Sequence, residues 1–101
     1  MLPNFLVIGA MKAGTTSLHR YLRAHPQVFM PEEKELDFFV AERHWGRGRG
    51  WYEAQFTEAT GAVAVGEASP TYSMHPEFSG VPDRVAELLP DVRLVYCVRH
   101  P

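Results

Sequence analysis

Phe5-Leu6-Val7-Ile8-Gly9-Ala10-Met11-Lys12-Ala13-Gly14-Thr15-Thr16-Ser17-Leu18 runs from apolar, partly β-branched residues into a glycine-bounded bend, then into hydroxyl residues. Such a run predicts a strand, a tight loop and a helix N-terminus. That geometry turns successive backbone N–H groups, and the positive end of a helix dipole, toward one spot suited to phosphate. Gly9 and Gly14 permit the turn, and Thr15, Thr16 and Ser17 add hydroxyls around a tetrahedral anion. The spacing of the two glycines is that of a Walker-type loop, but Thr15 follows the second glycine where a lysine is usual. The lysine stands earlier, at Lys12, where it can neutralise charge growing on a leaving phosphate.

Working outward, Leu18, Tyr21 and Leu22 keep helical spacing, and Pro26 stops the helix at His25. Val28-Phe29-Met30 is a short second strand ended by Pro31. Residues 44–50, His-Trp-Gly-Arg-Gly-Arg-Gly, read as a flexible connection, because three glycines hold a helix poorly. A short helix is expected over Trp51 to Phe56 and a third strand over Ala62 to Val65. A turn-rich run from Gly66 to Tyr72 follows, then a helix opened by Pro82 and closed by Pro90, then a strand over Val92 to Val98. Strands alternating with helices predict a parallel sheet with right-handed crossovers. A first strand apolar on both faces asks for helices on each side. The expected fold is therefore α/β, a three-layer, P-loop-like α/β/α arrangement.

Composition sets the boundaries. The 101 residues are 46% hydrophobic and 22% charged, typical of a globular domain, and the net charge of −2 offers no overall field for nucleic acid. One cysteine, Cys97, cannot form an internal disulfide and lies in an apolar run. Lys12, His19, Arg20 and Arg23 form one local basic cluster, and Arg43, His44, Arg47 and Arg49 another; both read as solvated faces. Neither a signal-type segment nor a membrane-length apolar run is visible, so a cytoplasmic location without a membrane span is expected. Residues 1–101 are expected to be the N-terminal part of a single domain, because Arg99-His100-Pro101 follows an apolar strand directly.

A metal-dependent P-loop kinase or NTPase would pair the loop with a Mg²⁺ site built on a strand-end aspartate. Val65-Gly66-Glu67 and Val98-Arg99 end the two relevant strands without one. A truncated module that binds anions without turnover is the other alternative.

The loop Gly9 to Leu18 resembles the 5′-phosphosulfate loop of sulfotransferases that use 3′-phosphoadenosine 5′-phosphosulfate (PAPS), nearest the bacterial and heparan-sulfate-type branch. Further matching segments follow in order: Lys34-Glu35-Leu36-Asp37-Phe38-Phe39, Gly50-Trp51-Tyr52 with Phe56, Gly66-Glu67-Ala68-Ser69-Pro70-Thr71-Tyr72, and Leu94-Val95-Tyr96-Cys97-Val98-Arg99-His100-Pro101. The resemblance implies transfer of a sulfuryl group from PAPS, as co-substrate and with no metal, to a hydroxyl or amine of a carbohydrate, lipid or small molecule. It places Lys12 at the bridging oxygen, and Lys12, Ala13, Gly14, Thr15, Thr16 and Ser17 around the 5′-phosphate. Arg99 falls at the 3′-phosphate and Glu35 at the general base. Lys34, Ser69 and Tyr72 are candidates to face the acceptor. Heparan-type members often carry a lysine after the glutamate of the fourth segment; Ala68 stands there in this chain.

Overall fold

The side chains of Phe5–Gly9 alternate between two separate apolar clusters, which makes this segment, β1, the middle of a layered structure. The computed structural model describes residues 2–9, 15–73 and 78–96. Leu6 and Ile8 enter the larger cluster, with Leu36, Phe38, Phe39, Tyr52, Phe56, Val65, Tyr72 and Val85. Phe5 and Val7 enter the smaller one, with Met30, Ala68, Leu18, Leu22 and Val28. Helices thus cover the sheet on both faces.

The first helix, α1 (Thr15–Arg23), supplies Leu18 and Leu22 to the smaller cluster and carries Arg20 and Arg23 in its last turn, where the helix dipole favours positive charge. Strand β2 (Val28–Phe29) follows. A 3-10 turn at Trp45–Arg47 leads into α2 (Gly48–Ala54), then β3 (Ala64–Ala68), a second 3-10 turn at Pro70–Ser73, α3 (Val81–Leu88) and β4 (Arg93–Tyr96). All pairings are parallel, in the order β2-β3-β1-β4. The expected α/β class and parallel sheet are what the chain adopts. No described helix is long and apolar enough to cross a membrane.

The glycine-rich connection corrects the sequence expectation, because residues 45–54 are helical almost throughout. Side chains supply what the glycines lack. Arg49 pairs with Glu53 one turn on at 2.9 Å, the Arg47 guanidinium lies over the Trp51 ring, and its Nε donates to His44 Nδ1 at 2.9 Å. Beneath them Phe38 stacks on Tyr52, with centroids 4.3 Å apart and rings 7° from parallel.

The third strand also lies later than its apolar run suggests. Gly66, Glu67 and Ala68, expected as a turn, continue the ladder opposite Phe5, Leu6 and Val7. Gly66 belongs there because the Phe5 ring occupies the space a side chain would need. His19 departs from its expected solvated face. It is buried, and its Nε2 sits 3.0 Å from the Pro31 carbonyl oxygen. Burial holds its pKa below the ordinary imidazole value; the Pro31 contact opposes this, while Arg23 and Lys34 reinforce it.

Candidate functional site

Parallel pairing puts the C-terminal ends of β1, β3 and β4 along one edge of the sheet, where open α/β folds bind ligands. β1 ends there at Gly9, and α1 begins at Thr15. A Cβ on Gly9 would meet Ser73 Oγ at 2.5 Å and the Tyr96 ring at 3.0 Å, so this close approach requires glycine. Thr16 and Ser17 are exposed in the first turn of α1. β4 ends at Tyr96, opposite Gly9, three positions before Arg99.

Glu35 reaches the same edge by a backbone tether. Its N–H donates to the carbonyl of Ala68, the last residue of β3, at 2.8 Å. Its side chain is 50% exposed and ion-paired with Lys34 at 3.1 Å. Glu35 and Asp37 both hold left-handed backbone, with φ of 63° and 51°. Such conformations cost about 1–3 kcal/mol each for residues with side chains, so the loop must be held from outside. Asp37 N–H donates to Ser69 Oγ at 3.1 Å, and Phe38 N–H to Tyr72 Oη at 2.9 Å. The buried Asp37 carboxylate takes Arg43 Nη1 at 2.6 Å and the Thr71 hydroxyl. At about 1 kcal/mol for each neutral hydrogen bond and more for the charged ones, these contacts match the strain.

Behind the loop lies Glu67, 1% exposed and on the larger-cluster face of β3. Its Oε2 accepts from Tyr52 Oη at 2.6 Å and Tyr72 Oη at 2.8 Å; its Oε1 accepts from Ser69 Oγ at 2.6 Å. Burial pushes the Glu67 carboxyl above the usual carboxylate range, and the hydroxyls of Ser69, Tyr52 and Tyr72 pull part of the way back. Burial, reinforced by the Glu67 charge, lifts both tyrosine hydroxyls well above their ordinary value.

The structure therefore sorts the residues marked in the sequence. Glu35 and Lys34 stand together at the strand ends, on the edge from which α1 begins. Ser69 and Tyr72, expected to face the acceptor, are buried, and their hydroxyls bridge Glu67 to the 35–38 loop. Thr15 opens α1, while Lys12, Ala13, Gly14 and Arg99 lie outside the described residues. Sequence reasoning missed Glu67, Tyr52 and the Asp37–Arg43–Thr71 cluster. The available signal was an acidic residue between Gly66 and Ala68 in a buried strand, a position that demands several donors. An apolar groove of about 260 Å³ between α3, β1 and β4 is lined by Ile8, Val85, Leu89 and Leu94, among others, and offers little for group-transfer chemistry.

The sulfotransferase family model matches residues 3–101. The chain belongs to the sulfotransferase family. It is 36% identical to the membrane-associated sulfotransferase kil1 of Dictyostelium discoideum, over 99% of this chain and 21% of that protein. It is 31% identical to human heparan sulfate glucosamine 3-O-sulfotransferase 5, over 99% of this chain and 28% of that protein. A solved sulfotransferase from Alicyclobacillus acidocaldarius superposes with a TM-score of 0.81 at 33% identity, over 95% of this chain and 44% of that one. The chain thus spans 21% to 28% of the length of these two curated relatives.

Proposed function

We propose that the chain supplies the donor-phosphate loop and the acceptor-side base of a PAPS-dependent sulfotransferase acting on a hydroxyl or amine of a carbohydrate or similar small acceptor. The observation that carries this reading is the tether from Glu35 to Ala68. It fixes a half-exposed carboxylate on the sheet edge where β1 gives way to α1. Membership of the sulfotransferase family supports the reaction class, and relatives named for sugar 3-O-sulfation support a hydroxyl-bearing acceptor.

The steps follow from charge. Glu35 takes the proton from the acceptor oxygen or nitrogen as that atom bonds to sulfur. The bond between sulfur and the bridging oxygen breaks, and its electron pair leaves with 3′,5′-adenosine bisphosphate. Lys12 and the amides opening α1 meet the charge on that leaving oxygen. Arg99 grips the 3′-phosphate with its bidentate guanidinium and fixes the donor in line with the acceptor. Lys34, whose ammonium pairs with Glu35, would meet an anionic group on the acceptor in this reading.

The test is Glu35→Gln in the full-length protein. Loss of a positioned base removes about 10²–10⁴ of turnover, while affinity for adenosine bisphosphate stays at the wild-type value. Near-wild-type turnover would remove Glu35 from the reaction.

A further inference from the structure

A backbone N–H can only donate, and that fixes the polarity of the network behind the base loop. Asp37 N–H points at Ser69 Oγ and Phe38 N–H at Tyr72 Oη. Each hydroxyl thus presents a lone pair to the loop and must send its own hydrogen the other way, to Glu67. The arrangement needs a group at position 67 that accepts from every side, and an ionised carboxylate does so with both oxygens. An amide there would present a donor to at least one hydroxyl, leaving that hydroxyl's own hydrogen without its carboxylate acceptor. Tyr52 differs. Its hydroxyl gives its hydrogen to the same Oε2, but among the described residues it bonds to Glu67 and not to the loop.

From this polarity we propose that Glu67 is a positioning residue for the acceptor-side base. Through Ser69 and Tyr72 it orients the amides of Asp37 and Phe38, and so maintains the left-handed backbone that carries Glu35 at the sheet edge. The inference rests on Glu35 as the base. Glu67 never meets the substrate; it is buried, and its oxygens face hydroxyls. Its effect passes through two relays of known geometry.

Tyr52 and Tyr72 make a matched pair for the test. Each donates its hydroxyl hydrogen to Glu67 Oε2 and each ring is buried in the same cluster, but among the described residues only the Tyr72 hydroxyl also accepts from the loop backbone. Tyr72→Phe and Tyr52→Phe are compared in the full-length protein by kcat, KM for PAPS, adenosine bisphosphate affinity and thermal midpoint. Tyr72→Phe is expected to lower kcat about tenfold more than Tyr52→Phe, since small misplacements of a reacting group cost that much or more. KM for PAPS and bisphosphate affinity are expected to match between the two. Ser69→Ala, which removes the other relay, is expected to behave like Tyr72→Phe and serves if that variant does not fold.

Equal kcat losses in the two tyrosine variants, or kcat falling in step with nucleotide affinity, would overturn the positioning role. Glu35→Gln run alongside separates the two claims. If it abolishes turnover while the tyrosine variants are equal, the positioning role alone fails. If Glu35→Gln is fully active, the base assignment fails and the positioning role falls with it.

Discussion

The amide of Glu35 and the carbonyl of Ala68 share a 2.8 Å hydrogen bond, joining the candidate base to the end of β3 by main chain alone. A tether of this kind is indifferent to the side chain at position 68 but sensitive to backbone conformation at position 35. Because φ there is 63°, a side chain costs about 1–2 kcal/mol that glycine escapes. Glu35→Gly is therefore expected to melt higher than Glu35→Ala, with turnover lost in both. A glycine variant that melts lower than the alanine one would show that the left-handed backbone is not strained.

Lys12 is assigned to the leaving oxygen. Removing a central electrostatic stabiliser costs at least about 100-fold in turnover, so Lys12→Ala is expected to lower kcat by that factor in the full-length protein. Single-turnover kinetics at saturating donor is the measurement. Unchanged kcat with raised KM would move Lys12 from the reacting centre to simple donor binding.

Gly66 tests the packing of β1 against β3. Alanine there would drive its methyl into the Phe5 ring, an overpacking of the kind that costs about 1–3 kcal/mol. Gly46, by contrast, has open space where a Cβ would stand, and Gly46→Ala is expected to stay within about 0.5 kcal/mol of wild type. Denaturant or thermal unfolding of the two variants distinguishes them, and equal stability would contradict the packing described.

His19 gives the fold a pH dependence of known sign. Its folded pKa lies below the ordinary value near 6.5, mainly through burial, so the unfolded chain binds the proton more readily. Its contribution is complete above that ordinary value and is lost as pH falls through the lower, folded one. His19→Gln keeps a donor for the Pro31 carbonyl but cannot titrate, and it should flatten the stability profile in this window. A profile as steep as wild type would assign the effect to other groups.

What the sequence makes legible is what local pattern controls. The apolar run Phe5 to Ile8 forms β1 and the hydroxyl-rich segment after it opens α1, because strand burial and helix capping are set by near neighbours. The helical state of residues 45–54 is hidden, since it depends on Phe38 stacking from a distant loop and on cation–ring contact between Arg47 and Trp51. Glu35 stands out as a candidate through family resemblance, whereas its left-handed backbone is visible only with Ala68, Ser69 and Tyr72 in place. Ser69 and Tyr72 read as acceptor-site candidates in the sequence because their turn follows a strand's C-terminal end, where open α/β sheets place ligands. Glu67, two and five positions before them, draws both hydroxyls inward.

The most direct measurement is calorimetric titration of the full-length protein with adenosine bisphosphate in EDTA, repeated in the presence of excess ATP and Mg²⁺. The sulfotransferase account predicts saturable binding without metal that ATP and Mg²⁺ do not displace. Displacement by ATP and Mg²⁺, or binding that requires the metal, would contradict it.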